Sequence, residues 1–190
     1  PQNPKTPKFD GLYIYILLMF TKSLLRANPL KRNFATLVLA EHFEGKLNSN
    51  LGSLLTAASN LNDPDVDVLV HGADCQSQID SVNQYAGVRS VLVAKDPSLQ
   101  QSYGAGVAKV VKQVIQDKGY TNVVAGSTSF GKDVMPRVGG MMDMQAITDV
   151  IEICGDGKFK RPVYAGNAIA TVSSSDSVKL VTVRSTNFAK

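Results

Sequence analysis

The segment richest in chemically useful residues spans positions 123–137 and reads VVAGSTSFGKDVMPR. Within it, Gly126 is followed by Gly131 and Lys132 at the spacing of a phosphate-binding P-loop. Such a loop directs backbone N–H groups and the lysine ammonium at phosphate oxygens, and the next residue supplies a hydroxyl to Mg²⁺. That next residue is Asp133, whose carboxylate would repel the phosphates. Because of this repulsion, we keep a nucleotide-binding loop, in an NTPase or an adenine-nucleotide-binding protein, only as the alternative hypothesis.

The same residues also have a structural interpretation. Gly126 ends an apolar run at what we expect to be the carboxyl edge of a sheet, where ligand crevices of doubly wound folds lie. We expect Asp133 to cap the following helix and Pro136 to lie in its first turn, with Arg137 as a pairing or interface residue. The candidate loop and interface residues are Gly126, Ser127, Thr128, Phe130, Gly131, Lys132, Asp133 and Arg137.

The remaining histidines, cysteines and acidic residues predict no further site. His42 and His71 each stand alone near a predicted strand end, where we expect hydrogen-bonded loop residues. Cys75 and Cys154 are far apart and form no C-x-x-C, which argues against a disulfide scaffold and a structural zinc site. The aspartates at positions 63, 65 and 67 are expected to form a solvated turn. We therefore expect no catalytic residue and no metal ligand.

An alternation of short apolar runs and helical patterns must position these residues. Strands are predicted at 36–40, 66–70, 90–94 and 122–125, and helices at 51–61, 76–85, 104–118 and from beyond Gly126 to Met142. Continuous apolar strands separated by helices indicate a doubly wound α/β domain with a parallel sheet covered on both faces. Later strand-like runs, at 147–153, 161–164, 168–173 and 178–184, lack intervening helices and predict a C-terminal antiparallel β extension.

Composition limits the class of protein. The chain has 190 residues, of which 44% are hydrophobic and 19% charged, enough for one medium domain with tails. Its formal net charge is +4, but six of the 20 Lys and Arg residues lie in residues 1–34, against Asp10 as the single acidic residue there. The rest of the chain is nearly neutral and therefore lacks the electrostatic footprint of a nucleic-acid-binding protein.

The basic N-terminal region has the composition of a targeting segment. Residues 19–34 contain four basic residues, two hydroxyls and no acid, which is typical of a mitochondrial transit peptide, and residues 1–18 are expected to be an upstream disordered segment. Arg32, two residues before Phe34, resembles a matrix-protease site. The apolar run 12–20 is too short to span a bilayer, so we expect no membrane span. A secretory signal and a disordered basic tail are the competing interpretations.

Six segments together resemble one known family. They are TLVLAEH at 36–42, VLVA at 91–94, VAGSTSFGKD at 124–133, TDVI at 148–151, RPVYAGNA at 161–168 and VRSTNF at 183–188. In this order they resemble the N-terminal domain of the electron transfer flavoprotein α-subunit. One departure is Gly139-Gly140, where the family usually has alanines; each glycine in a helix costs about 1 kcal/mol relative to alanine.

The resemblance implies a fold, partners and a cofactor. It implies a Rossmann-like domain over residues 35–184, a β-subunit as partner, and one FAD in the αβ complex. The complex would carry electrons from acyl-CoA dehydrogenases in the mitochondrial matrix to a membrane quinone reductase.

The resemblance also implies where the cofactor would be held. Residues 185–190 would begin a linker to a C-terminal domain that supplies the FAD contacts. Those contacts are therefore expected beyond Lys190, and no residue of this chain is predicted to bind the cofactor. We expect an electron-carrier subunit rather than an enzyme, inactive alone and without tight FAD binding.

Overall fold

The computed structural model describes residues 35–61, 65–100, 104–155 and 157–190. The predicted leader at 1–34 lies outside the described residues. The helices are α1 (Leu51–Ser59), α2 (Gln76–Val82), α3 (Gly104–Lys118) and α4 (Ser129–Met142). The strands are β1 (Thr36–Leu39), β2 (His42–Phe43), β3 (Lys46–Leu47), β4 (Val66–Gly72), β5 (Ser90–Lys95), β6 (Asn122–Gly126), β7 (Ala146–Val150), β8 (Glu152–Ile153), β9 (Lys158–Val163), β10 (Ala168–Ser173) and β11 (Lys179–Val183).

A six-stranded parallel sheet forms the centre of the fold. Its strand order is β5-β4-β1-β6-β11-β7, and every neighbouring pair is parallel. All six carboxyl ends therefore meet at one edge, the edge where α/β proteins place their ligands. The predicted Rossmann-like α/β class is confirmed.

Helices cover both faces of this sheet. Alternate residues of each strand point to opposite faces: Leu37 packs in a buried cluster with residues of α3 and α4, whereas Val38 packs with residues of α1 and α2. α3 coincides with its predicted range because Val107, Val111 and Val114 recur at helical spacing and all face the sheet.

The C-terminal strands correct one prediction. The runs at 147–153 and 178–184 were assigned to an antiparallel extension, but β7 and β11 belong to the parallel sheet, and β11 pairs with β6 and β7. The reason is burial, because residues 180–183 of β11 are buried on both faces of the sheet. Strands that are buried on both faces are typical of parallel sheets.

The antiparallel part is a separate three-stranded sheet in the order β10-β9-β8. It replaces a helix as the connection from β7 to β11. Phe159 of β9 is fully buried and packs in the same cluster as α1 and α2, so it anchors this small sheet to the core. β10 is largely exposed and pairs with β9 alone.

A buried carboxylate at the amino edge of the sheet overturns part of the predicted solvated turn. Asp67 is 2% exposed and accepts hydrogen bonds from Arg89, Ser90 and Tyr120. Burial raises the pKa of Asp67, but these hydrogen bonds outweigh it and hold the pKa below its usual value. Asp65 also pairs with Arg89, at 2.7 Å, and position 63 lies outside the described residues.

The last residues of the chain lie against α1. A Cβ on Gly52 would come 3.4 Å from the carbonyl carbon of Lys190, and Ser53 Oγ donates a hydrogen bond to the carbonyl of Phe188 at 3.0 Å. The segment 185–190, predicted to begin a linker, thus packs on the domain up to Lys190. The FAD contacts expected beyond Lys190 stay a prediction.

In the part of the chain that the structure describes, no helix is both long and apolar enough to cross a membrane.

Candidate functional site

The turn from β6 to α4 holds the candidate loop residues. β6 ends at Gly126 and α4 begins at Ser129, so only two residues connect them. Thr128 is the N-cap: its backbone is extended and its Oγ1 accepts a hydrogen bond from the N–H of Gly131 at 3.3 Å.

The predicted cap was therefore wrong. Asp133 lies within α4, and Pro136 lies in the helix interior, where the lack of an N–H removes one backbone hydrogen bond. The helix starts earlier than predicted because the Thr128 hydroxyl accepts a hydrogen bond from the Gly131 N–H. This N–H lies in the first turn and has no acceptor within the helix.

The same turn is tightly packed rather than an open glycine-rich loop. A Cβ on Gly131 would lie 1.9 Å from the carbonyl oxygen of Gly126, so the first turn of α4 packs directly on the end of β6. Residues that a P-loop must leave as an open loop are here helical. Phe130 turns toward the sheet, with its ring 5.4 Å from that of His71.

Lys132 is paired with a carboxylate. Its Nζ lies 3.2 Å from Oδ1 of Asp149, at the end of β7. Ser127 donates a hydrogen bond to the same Oδ1 at 2.9 Å, and its hydroxyl lies 3.1 Å from that of Thr182. Since Ser127 has one hydroxyl proton, Thr182 donates to Ser127 and accepts from the Asp149 N–H at 3.1 Å.

We call Ser127, Lys132, Asp149, Thr182 and Arg184 the Asp149 network. Arg184 completes it, with Nε 3.6 Å from Asp149 Oδ1. Burial raises the pKa of Asp149, but the bonds from Ser127 and Lys132 and the charge of Arg184 outweigh it and hold the pKa below its usual value. The network therefore links the carboxyl ends of β6, β11 and β7 through hydrogen bonds and ion pairs to one ionised carboxylate.

Asp149 adopts a left-handed backbone, with φ of 60°. Aspartate tolerates this conformation better than most residues. The bend coincides with a register shift between β7 and β11, β7 ends one residue later at Val150, and the next strand, β8, belongs to the antiparallel sheet. The predicted single strand at 147–153 is thus divided in two.

Arg137 and Asp133 pair on the surface of α4. Arg137 Nε lies 2.7 Å from Asp133 Oδ1 in an i,i+4 pair. The Asp133 carboxylate also lies against the start of α3, where a Cβ on Gly104 would come 1.9 Å from Oδ2. A negative charge therefore occupies the N-terminus of α3, a position that would otherwise attract an anion.

A cleft of about 480 Å³ opens beside the Asp149 network. It is lined by Asp149, by residues 161–166 and by Arg184. Arg161 Nη2 donates a hydrogen bond to Thr148 Oγ1 at 3.0 Å. Asp149, Arg161, Thr182 and Arg184 were not identified as site residues from the sequence. The sequence offers only their position as a signal: Asp149, Thr182 and Arg184 lie at or next to strand ends, whereas Arg161 lies within β9.

The two histidines correct another expectation. His71 is an inward-facing residue of β4, 2% exposed, rather than a loop residue, and its Nε2 has no hydrogen-bond partner among the described residues. The ring of His42 lies 4.6 Å from it. Burial, together with the neighbouring His42, lowers the pKa of His71 to about 3. Within the described ranges, no group of three or more side chains could hold a metal ion.

Comparison with known proteins gives a consistent family assignment. The model of a family described as "Electron transfer flavoprotein domain" matches residues 36–190. The chain is 40% identical over 154 residues to "Probable electron transfer flavoprotein subunit alpha, mitochondrial" of Caenorhabditis elegans, covering 81% of this chain and 46% of that protein. It is 34% identical over 184 residues to the Dictyostelium discoideum "Electron transfer flavoprotein subunit alpha, mitochondrial", covering 92% and 52%.

A bacterial relative gives the same result. The identity to "Electron transfer flavoprotein subunit alpha" of Pseudomonas aeruginosa is 37% over 154 residues, covering 81% of this chain and 49% of that protein. The chain thus spans about half the length of the curated relatives that it matches.

Proposed function

Because this chain belongs to the electron transfer flavoprotein domain family, with α-subunits as its relatives, we propose that it is the scaffold and β-subunit-docking part of an α-subunit. The match across residues 36–190 carries this proposal, since it spans nearly all of the domain that the parallel sheet organises. The α-subunits are electron carriers rather than enzymes, and the isolated chain is inactive.

In the complete complex, FAD supplies the electron-transfer chemistry. Electrons pass from acyl-CoA dehydrogenases of fatty acid β-oxidation, through the complex, to a membrane quinone reductase. The mitochondrial names of eukaryotic relatives support a location in the mitochondrial matrix, with residues 19–34 as the transit peptide. Residues 185–190 lead toward an FAD domain whose cofactor contacts lie beyond Lys190.

The starts of α3 and α4 do not fit the pyrophosphate group of FAD. A pyrophosphate group needs free N–H groups at a helix N-terminus or in an open glycine-rich turn. At α4 the turn is closed by Gly131 against Gly126, and Lys132 is paired with Asp149. At α3 the carboxylate of Asp133 faces the helix start. We therefore assign no step of flavin chemistry to this chain. The same features disfavour the nucleotide-binding alternative.

The antiparallel sheet offers the surface for docking. Tyr164 and Ile169 are 82% and 62% exposed and lie on the turn and strand that follow β9. Large apolar side chains displayed together on a surface mark interaction sites more often than isolated ones do. We assign this surface to the β-subunit, and we call it the β9–β10 surface.

The test is co-expression of the full chain with the β-subunit of the same organism, followed by size-exclusion chromatography. We expect a 1:1 complex with the wild-type chain and a loss of at least about tenfold in affinity for Ile169→Asp, because a charge would be buried in the interface. Isolated chain should show no stoichiometric flavin absorption.

Phe43→Asp is the matched control. Phe43 is 78% exposed on the β2–β3 hairpin, which contacts α2 on the β4 side of the sheet, whereas β9 contacts β7 at the opposite edge. This variant should bind like wild type. Absence of any complex with the wild-type chain would overturn the proposed function, and equal losses for both variants would overturn the assignment to the β9–β10 surface.

A further inference from the structure

The cleft beside the Asp149 network contains an arginine whose charge the described chain does not neutralise. Arg161 is half-buried, and its Nη2 donates to Thr148 Oγ1 at 3.0 Å. Its Nε is buried without a hydrogen-bond partner, and no carboxylate of the described residues lies within salt-bridge distance of its guanidinium. A guanidinium stays protonated in proteins, so its burial favours an anionic partner.

The neighbouring charges reinforce this preference. Arg184 lines the same cleft, and its nearest carboxylate is that of Asp149, 3.6 Å away. Asp149 also pairs with Lys132 at 3.2 Å. A single carboxylate therefore faces two cations, and Arg161 adds a third beside them. The cleft is positive, and a guanidinium fork is shaped to bind a carboxylate through two hydrogen bonds.

The rim of the cleft is apolar and strained. Tyr164 and Ala165 line it with left-handed backbones, at φ of 51° and 56°, and Gly166 follows at φ of 94°. A left-handed backbone is unfavourable for residues other than glycine and persists where the surrounding structure holds it, often at binding sites. The strained turn carries the tyrosine whose ring is exposed beside the charged cleft.

We propose that this cleft receives an aspartate or glutamate side chain of the β-subunit, which forms the charged centre of the contact made by the β9–β10 surface. The inference rests on the proposed function. An arginine in a cleft bordered by an exposed tyrosine is the combination found at the energetic centre of protein interfaces. A protein ligand is favoured over a free oxyanion because only a protein would also cover Tyr164 and Ile169.

The test compares dissociation of the full-chain complex with the β-subunit for Arg161→Gln, Arg184→Gln and the control Lys118→Gln. Lys118 is a suitable control because it is an exposed cation in the last turn of α3, outside the cleft lining and outside the candidate interface residues. We expect Arg161→Gln to weaken binding by at least about 30-fold, mainly through faster dissociation, as for a truncated buried charge pair. Arg184→Gln should lower the association rate and its salt dependence, and Lys118→Gln should change neither.

Two further measurements keep the outcomes separate. Thermal unfolding and circular dichroism verify that Arg161→Gln is folded; if it is not, Arg161→Lys, which keeps the charge but loses the fork, replaces it. Inorganic phosphate is titrated into the wild-type chain and followed by NMR. If the wild-type chain forms the complex and the Arg161 and Arg184 variants bind the β-subunit with the same affinity, the inference is overturned and the proposed function stands. Phosphate binding that needs Arg161, with unchanged β-subunit affinity, overturns it in favour of a small-anion site. Absence of any complex overturns both proposals.

Discussion

At the residue scale, the pairing of Asp149 with Lys132 determines the role of the loop at 126–132. The sequence places Lys132 after a glycine at phosphate-binding spacing, yet the lysine ammonium is 3.2 Å from the Asp149 carboxylate. The partner is 17 residues further along the chain, on a strand whose position depends on the whole sheet. A local pattern could name Lys132, but only the parallel register of β6, β11 and β7 reveals the residue that neutralises it.

His71 makes stability depend on pH. Its folded pKa of about 3 lies below the usual 6.5, so between these values only the unfolded chain takes up the proton and stability falls as pH falls. From pH 6.5 to pH 5 the loss should be about 1.6 kcal/mol, because the full slope of about 1.4 kcal/mol per pH unit is reached only well below pH 6.5.

Urea unfolding of wild type and His71→Leu at pH 5, 6, 7 and 8 measures this dependence. The variant should lose about 2 kcal/mol less than wild type between pH 7 and pH 5, and the difference between the two proteins should be constant from pH 7 to pH 8. Parallel curves throughout would show that His71 does not carry the effect.

At the scale of elements, the end of α4 distinguishes the two adjacent glycines, Gly139 and Gly140. A Cβ on Gly139 would lie 2.5 Å from the carbonyl oxygen of Met144, because the chain folds back after the left-handed C-cap at Asp143. Met144 N–H also donates to the Gly139 carbonyl at 2.9 Å. Gly140 is exposed and a Cβ there would meet no atom within 4 Å. The first glycine is therefore required by packing and the second is not.

Alanine substitutions test this difference. Gly139→Ala should lower the free energy of unfolding by about 1–3 kcal/mol, because the clash with the backbone exceeds the gain in helix propensity. Gly140→Ala should raise it by about 0.5–1 kcal/mol, because the exposed position gains propensity without a clash. Chemical denaturation at pH 7 measures both, and equal effects of the two substitutions would contradict the packing argument.

The helices and strands could be predicted from the sequence where a residue pattern fits only one type of secondary structure. The spacing of Val107, Val111 and Val114 gave α3 its bounds, since an amphipathic helix of this length has no rival interpretation. β11 was misplaced because no helical pattern precedes it, whereas in the structure an antiparallel sheet makes the connection from β7. The site was missed for a related reason: the cleft brings together Asp149 near the end of β7, Arg161 within β9 and Arg184 just after β11, and no local spacing predicts this.

At the scale of the whole molecule, the parallel sheet is covered by helices, whereas the antiparallel sheet is exposed on part of its surface. Helices cover both faces of the parallel sheet, a carboxylate lies against the start of α3, and a backbone contact closes the turn before α4. The antiparallel sheet instead displays exposed apolar residues, a largely exposed strand β10 and a positive cleft. Within the described residues, this is the surface best suited to hold a second protein.

Hydrogen–deuterium exchange of the full chain, with and without the β-subunit, tests the proposed docking most directly. We predict slower exchange of backbone amides in 158–173 on addition of the β-subunit, and unchanged exchange in α3, residues 104–118. Unchanged exchange throughout 158–173, or protection confined to the helices, would contradict the account.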